Sequence, residues 1–216
     1  REPNRRNSSS FISMDEPEHS VQRKAVSPTL APSNIAAMSP VVRERAGAIL
    51  DSLPIGQPFD WVDLVSKELT AMTLATLFDF PFEHRRKLTH WSDIFTNQPG
   101  HGPVESFEQK AREMVECFTA FEGLWKERVD AEPSIDLISM LINNPHTRDM
   151  PLLQYQGNVV LLIIGGNDTT RNTISGSIYN LNKFPAEYDK LRANPALIPS
   201  MVSETIRYQT PLAHMS

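Results

Sequence analysis

The chain has 216 residues, a formal net charge of −5 and an apolar fraction of 40%. The length predicts one domain, or part of a larger one, with a buried core. The composition and the negative charge argue against a disordered chain and against a nucleic-acid-binding surface. The only cysteine, Cys117, excludes an intramolecular disulfide and a zinc site built from cysteines, so we expect a reducing compartment, the cytoplasm.

Neither a membrane anchor nor a signal peptide is expected. The longest strongly apolar run, residues 159–164, is far shorter than the roughly 20 residues that span a bilayer. Residues 1–10 begin with arginine and lack the apolar core of a signal peptide. We interpret them as an internal loop and the chain as a fragment.

Three helical patterns occupy the first part of the chain. Pro17 suits a first helical turn and predicts a short helix through Lys24. Ser39 and Pro40 predict the N-cap and first residue of a second helix. Its apolar residues recur at spacings of 4, 3 and 4: Val42, Ala46, Ile49 and Leu53. A third helix is predicted from a similar stripe, which ends at Phe80-Pro81: Val65, Leu69, Met72 and Thr76.

The most regular helical pattern lies between Glu105 and Val129. Its apolar residues recur at spacings of 4, 3, 4, 3 and 4: Phe107, Ala111, Met114, Phe118, Phe121 and Trp125. Cys117 lies beside this seam, so we interpret it as a small buried residue without a reactive role.

The last third of the chain also predicts helices. A long one follows Pro151 and runs to about Lys183, Pro185 opens a short one, and the last follows Pro199 and continues through Tyr208. Sustained period-2 alternation and hairpin dipeptides are absent from the sequence. The predicted fold class is therefore mainly α.

The predicted long helix contains two adjacent glycines, Gly165 and Gly166, each of which costs roughly 1 kcal/mol relative to alanine in a helix interior. One interpretation is a helix break, with Asp168 or Thr169 capping a new helix. The other is one continuous helix whose glycines let a flat ligand approach the backbone. In that case an acid and an alcohol beside a bare backbone patch would suit proton relay.

Two rival interpretations of this motif fail on spacing. A phosphate loop needs a lysine directly after its glycines, and the next lysine is Lys183. A magnesium-binding Asn-Asp motif of the terpene-cyclase kind would need a hydroxyl at position 171 and a carboxylate at position 175, where the sequence has Arg171 and Ser175.

Two charged pairs lie at helical spacing. His19 and Arg23, four residues apart, could hold a carboxylate or a phosphate. Glu204 and Arg207 lie three residues apart on one helix face. Taken singly, each pair is typical of a solvated surface.

The order of these motifs, HSVQR from His19, GGNDTT from Gly165 and ETIR from Glu204, strongly resembles the bacterial cytochrome P-450 superfamily of haem-thiolate monooxygenases. The similarity covers essentially the whole chain. Three stretches resemble the soluble branch that hydroxylates n-alkanes at the terminal carbon: WVDLVSKELTAMTLATLFDFPFEHRRKLTHWSD, GNVVLLIIGGNDTTRNTISG and SETIRYQTPLAHM. The resemblance implies that residues 1–216 form a single partial domain, the middle portion of a P-450 catalytic domain.

The resemblance implies haem b as the cofactor. In the family's pattern, His19 and Arg23 match the helix that holds a haem propionate. Gly165 and Gly166 match the bend of the central helix over the haem face.

The resemblance also assigns roles in catalysis and structure. Asp168 and Thr169 match the pair that delivers protons to iron-bound dioxygen. The residues expected to face the substrate are Leu161 and Ile164. A buried ion pair that stabilises the haem-binding half of the fold, a structural role, is matched by Glu204 and Arg207.

The axial ligand expected of the family is a cysteine in a glycine-rich loop. Cys117 precedes the central helix and lacks flanking glycines, so no metal ligand is assigned in this chain. The N-terminal sheet region and the arginine that usually partners Glu204 and Arg207 are also missing. We expect a middle piece of a longer enzyme that is inactive alone.

The resemblance implies a monooxygenase that uses dioxygen and two electrons, with the terminal carbon of medium-chain n-alkanes or fatty acids as the expected site of hydroxylation. The implied partners are an iron–sulfur ferredoxin, an NAD(P)H-dependent reductase and a hydrophobic small-molecule substrate. The alternatives are a P-450 acting on terpenoids or steroids and a non-catalytic helical ligand-binding module. The last of these leaves the glycine pair and Asp168-Thr169 unexplained.

Overall fold

The computed structural model describes residues 10–212, and its architecture is helical throughout. The α-helices of this region are α1 (Glu18–Val26), α2 (Pro32–Asp51), α3 (Glu68–Phe78), α4 (Arg86–Thr96), α5 (Phe107–Arg128), α6 (Leu137–Asn143), α7 (Leu152–Lys183), α8 (Pro185–Ala193) and α9 (Ile198–Gln209). A π-helical segment, Val62–Lys67, leads into α3, and short 3-10 turns include Phe11–Ser13 before α1. Between residues 10 and 212 the only β-type pairing is an isolated bridge between His101 and Val104. The mainly α prediction is confirmed.

Helix α7 is the central element of the structure. It packs against α3, α4, α5, α9 and the π-helical segment. It runs unbroken through Gly165 and Gly166, so the predicted continuity of the helix is confirmed and the helix break is wrong. The approach of a flat ligand to the glycines stays a prediction. Packing on several sides compensates for the low helix propensity of two adjacent glycines.

Aromatic side chains from α3, α4, α5 and the loop after α3 form the centre of the core. The ring centroids of Phe78 and Phe121 lie 5.2 Å apart. The ring centroid of Phe80 lies 5.6 Å from that of Phe121 and 5.9 Å from that of Trp91. Cys117 is completely buried in the same cluster, and burial raises the pKa of its thiol. The interpretation of Cys117 as a buried core residue is confirmed.

The predicted start of the second helix is wrong. Helix α2 begins at Pro32, after Ala31 in an extended conformation, and Pro40 lies inside it. Either proline suits a first helical residue, so a local rule could not separate them. Pro40 is exposed, and it offers no N–H to the carbonyl of Ala36, one turn earlier.

The buried face of α5 differs from the predicted seam. Its buried residues are Cys117, Phe121 and Leu124, whereas Phe107 is 73% exposed. The helix packs against both α4 and α6, so its core face is rotated from the stripe that apolar spacing alone indicates. Neither α4 nor α6 was predicted from the sequence.

Among residues 10–212, no helix combines the length and the apolarity needed to cross a bilayer.

Candidate active site on the central helix

One side of α7 carries most of the predicted site. Because successive residues of an α-helix turn by about 100°, residues four apart lie nearly in line. Leu161, Gly165 and Thr169 therefore form one stripe of the continuous helix, with Ile164 and Asp168 beside it. Leu161 and Ile164 are both partly buried, and Leu161 packs against the core.

The two glycines have different surroundings. A Cβ atom at Gly165 would meet no other atom within 4 Å, so this position leaves a bare, exposed patch of helix backbone. A Cβ atom at Gly166 would lie only 2.7 Å from Cδ2 of Leu74 in α3. The expectation that both glycines face a ligand is therefore corrected: Gly166 permits close packing of α7 on α3, and Gly165 alone opens the stripe.

Asp168 belongs to a cluster of charged side chains between α7, α4 and the π-helical segment. Its Oδ1 accepts a hydrogen bond from Arg171 at 2.7 Å, and Arg171 also donates to Asp93 at 2.9 Å. The second carboxylate oxygen of Asp93 lies 3.8 Å from Lys67 Nζ. The side chains of Asp168 and Arg171 are only 22% and 12% exposed.

Burial raises the pKa of the Asp168 carboxyl above its ordinary value, while the positive charge of Arg171 opposes that rise. The carboxyl therefore stays protonated to a higher pH than an exposed aspartate, which suits a proton donor. Sequence reasoning missed Arg171 as its partner, although the three-residue spacing of an acid and a base on one helix was a usable signal. Asp93 gave no such signal because it lies far away in the sequence.

Thr169 is bonded within its own helix. Its hydroxyl donates to the backbone carbonyl of Gly165 at 2.9 Å, one turn earlier. The hydroxyl thus lies beside the bare backbone patch that Gly165 leaves open. A serine or threonine hydroxyl in this position exchanges its backbone partner for another acceptor by rotation about χ1.

His19 and Arg23 lie one turn apart on α1, as predicted. His19 Nδ1 is 3.2 Å from Oε1 of Glu16, which also accepts a hydrogen bond from Ser20 at 2.6 Å. Arg23 is exposed. An anionic carboxylate thus already lies beside His19, and this donor set suits an acidic group.

The Glu204–Arg207 pair forms but is not buried. Arg207 donates to both carboxylate oxygens of Glu204, at 2.5 and 2.7 Å, and this bonding lowers the pKa of Glu204. The side chains of Arg207 and Glu204 are 69% and 59% exposed, which corrects the expected burial. The physical reason is that α9 packs loosely: it buries only Thr205, and Glu204 borders an open cavity between α7, α8 and α9.

One cavity lies away from this stripe. It has a volume of ≈ 680 Å³, is bounded by the end of α7, α8 and α9, and includes Phe184, Met201 and Glu204 in its lining. Its position separates it from Gly165 and Asp168, which lie in the middle of α7.

Comparisons with known proteins agree on one family. Linalool 8-monooxygenase of Pseudomonas putida is 31% identical over 95% of this chain, which spans 50% of that protein. The structure of cytochrome P450-153 from Novosphingobium aromaticivorans matches with a TM-score of 0.84 and 40% identity over 100% of this chain and 53% of its own. CYP153D17 from Sphingomonas sp. matches with a TM-score of 0.83 and 44% identity over 96% of this chain and 52% of its own.

No protein-family model matches the chain. The chain spans about half the length of the curated relatives it matches. The matched proteins are all cytochromes P450, and the similarity covers nearly every residue of this chain.

Proposed function

Because the chain belongs to the cytochrome P450 family, we propose that it is part of a haem-dependent monooxygenase whose proton-delivering groups lie on α7. The observation that carries this proposal is the bare backbone at Gly165, flanked on one continuous helix by Asp168 and Thr169. Apolar Leu161 and Ile164 precede that patch on the same side of the helix.

The residues present fit a flat, anionic cofactor. Gly165 leaves open space where a side chain would otherwise stand, and His19 with Arg23 would hold a haem propionate. Haem, when bound, would supply the iron centre that activates dioxygen. The axial thiolate lies outside these 216 residues in this proposal, because the single cysteine, Cys117, is buried in the core.

Asp168 and Thr169 would hold and move protons at two defined atoms. The Asp168 carboxyl keeps its proton to a raised pH because it is buried, and Arg171 holds its Oδ1 in place. The Thr169 hydroxyl lies at the open patch and, after rotation away from the Gly165 carbonyl, would donate toward a bound group. Asp168 would restore the proton through a water molecule.

The proposed substrate is a hydrophobic small molecule hydroxylated at an unactivated carbon, with the terminal carbon of a medium-chain alkane or fatty acid preferred. Leu161 and Ile164 would supply apolar contacts to it. Electrons would come from NAD(P)H through a reductase and an iron–sulfur ferredoxin, and the protein would work in the cytoplasm. Glu204 and Arg207 would act in structure rather than in catalysis.

The experiment that tests this proposal compares Thr169→Ala with Thr169→Ser in the full-length, haem-loaded protein. We expect Thr169→Ala to lower product formed per NAD(P)H consumed by at least about tenfold, because general acid catalysis contributes about 10²–10⁴ to a rate. Thr169→Ser keeps a hydroxyl and should retain most of the coupling. An unchanged product ratio in Thr169→Ala would contradict the proton-relay role, and a full-length protein that binds no haem would contradict the family's chemistry here.

A terpenoid substrate is the second candidate, favoured by the similarity to linalool 8-monooxygenase. Competition between n-octane and linalool in one reaction mixture distinguishes the two classes. Excess 1-octanol supports the alkane proposal, and excess hydroxylated linalool supports the terpenoid.

A further inference from the structure

Asn158 of α7 uses both halves of its buried amide to bind two other elements. Its side chain is completely buried. Its Oδ1 accepts a hydrogen bond from the backbone N–H of Phe11 at 2.9 Å, and its Nδ2 donates to Oε1 of Gln22 in α1 at 2.8 Å. Phe11 and Gln22 are themselves 9% and 6% exposed, so these bonds form away from water.

A second contact on the same side of α7 holds the same segment. Gln154, one turn before Asn158, places its Nε2 3.6 Å from the sulfur of Met14. Phe11 packs in the core and Met14 packs against it. Residues 11–14 are therefore held along the first turns of α7.

Asn158 shares the stripe that carries the candidate site. It precedes Gly165 by seven residues, so the two lie about 20° apart around the helix and about 10 Å apart along it. Leu161 lies between them. Residues 11–14 consequently close the stripe at one end, while the open patch at Gly165 lies two turns away.

The same amide also fixes the helix that carries the proposed propionate-binding pair. Gln22 lies one turn after His19 on α1. Its hydrogen bond to Asn158 therefore holds α1 against α7 next to the stripe.

Resting on the proposed function, we propose that Asn158 is a positioning residue that holds residues 11–14 as the end wall of the substrate space and sets the separation of α1 from α7. Asn158 touches neither substrate nor cofactor in this role. It acts through the Phe11 backbone and the Gln22 side chain.

An apolar residue of similar size at position 158 would remove both bonds without opening a large cavity. The Phe11 N–H and the Gln22 side chain would be left buried without partners, which native proteins avoid. The segment would then have to separate from α7 to reach water.

The test compares Asn158→Leu with a matched control, Gln156→Leu, in the full-length holoprotein. Gln156 is also an amide on α7, but it bonds to Glu122 of α5 at 3.0 Å and not to residues 11–14. In Asn158→Leu we expect hydrogen exchange in peptides covering residues 10–16 to be at least about tenfold faster. We also expect KM to rise more than kcat falls, whereas Gln156→Leu should change neither exchange in this segment nor KM.

Asn158→Asp provides the conservative rescue. Burial should keep the carboxyl introduced at this position protonated, so its carbonyl oxygen would accept from the Phe11 N–H and its O–H would donate to Oε1 of Gln22. Protection of residues 10–16 should be largely restored. If Asn158→Leu fails to fold, Gln22→Met takes its place in the test. It removes one partner and leaves Asn158 in place, so it should produce a smaller increase in exchange than the loss of both bonds.

Unchanged exchange and unchanged KM in both Asn158→Leu and Gln22→Met would overturn the proposal. So would faster exchange with an unaltered KM, because the contact would then be structural only. Failure of the proposed function would be seen separately, as absence of haem or of hydroxylation in the unsubstituted protein.

Discussion

Two opposing effects set the pKa of the Asp168 carboxyl. Burial raises its pKa, and Arg171 lowers it but divides its guanidinium between Asp168 and Asp93. The second carboxylate thus competes for the cation that would otherwise hold Asp168 fully ionised. The balance leaves a carboxyl that is anchored in position and still able to carry a proton.

This balance predicts how Asp168→Asn changes the free energy of unfolding with pH. Since the pKa of Asp168 is raised in the folded protein, the parent loses stability as pH rises from about the ordinary value of 3.8 to the raised value. The variant lacks this loss. The difference in unfolding free energy, variant minus parent, should therefore increase with pH across that window, as measured by urea unfolding at a series of pH values.

Arg171→Gln extends the same test. Removing the cation removes the effect that lowers the pKa of Asp168, so the upper end of the window should move to higher pH while its lower end stays in place. A difference between Asp168→Asn and its parent that stays flat across the acidic range would show that Asp168 titrates as an exposed aspartate does.

Local sequence identified the residues of this site better than it identified their partners. Asp168 and Thr169 stood out because an acid and an alcohol follow two glycines inside an apolar helix pattern. Asp93 and Asn158 could not be found in this way, because their bonds join positions far apart in the chain. Such pairs depend on how helices pack, and apolar spacing does not encode that.

Substitution of Gly165 in α7 should have opposite effects on stability and on haem affinity. Gly165→Ala adds a methyl group in open space, so the free energy of unfolding should rise by up to about 1 kcal/mol through helix propensity. The same methyl would occupy the bare patch, so haem affinity should fall. Equilibrium unfolding and haem titration measure the two effects.

Gly166→Ala should reverse the sign of the stability change. Its methyl would meet Leu74, which is only 2% exposed and cannot move without displacing other core residues. Overpacking of this kind costs typically 1–3 kcal/mol. Equal stability changes for the two variants would show that α3 adjusts freely and that the glycines are equivalent.

Helix α2 offers a matched pair of prolines. Pro40→Ala restores an N–H in the helix interior, so the protein should gain about 1–3 kcal/mol, even though proline also restricts the unfolded chain. Pro32 occupies the first turn, where no hydrogen bond is lost. Pro32→Ala should therefore be neutral or destabilising by less than about 1 kcal/mol in the same denaturant titration. A loss of stability in Pro40→Ala would mean that the restriction proline places on the unfolded chain outweighs the missing hydrogen bond.

Most helix starts marked by proline were predicted correctly, with the start of α2 as the exception, whereas the buried faces of the helices were not. The starts of α1, α7 and α8 follow from Pro17, Pro151 and Pro185. The core face of α5 was placed on a stripe that includes Phe107, because an apolar repeat shows amphipathicity without showing which neighbours cover it. The short helices α4 and α6 escaped prediction for the same reason, since tertiary packing rather than a long repeat defines them.

The molecule as a whole is unevenly packed. The core lies between α3, α4, α5, α6 and the first half of α7, whereas α8 buries no residue and α9 buries only Thr205. An apolar stripe on α9 is left open: Ile198, Val202 and Ile206 are 48%, 42% and 50% exposed. Exposed stripes of this kind favour association.

We expect the 216-residue chain to self-associate through this stripe. Ile206→Lys should weaken association by at least about tenfold, because it replaces apolar contact area with a charge. Ser203→Lys, on an exposed part of the same helix, adds the same charge outside the stripe and should have little effect. Sedimentation equilibrium measures both, and equal effects would mean that net charge rather than the stripe controls association.

The mainly α class followed from the sequence because helical repeats and prolines are local signals. The centrality of α7 was also foreseeable from its length. The packing of α4 across α7, which brings Asp93 to Arg171, was not, since nothing in either helix alone specifies its partner.

The single thiol of these 216 residues is a natural reporter of their motions. Cys117 has no solvent access, and burial keeps its sulfur in the unreactive protonated form. A thiol reagent in excess can therefore modify it only when α5 separates from its neighbours, so the labelling rate measures how often the interior opens. A cysteine introduced at the surface could also be labelled selectively with a fluorophore, because the buried thiol of Cys117 does not react with the dye while the core stays packed.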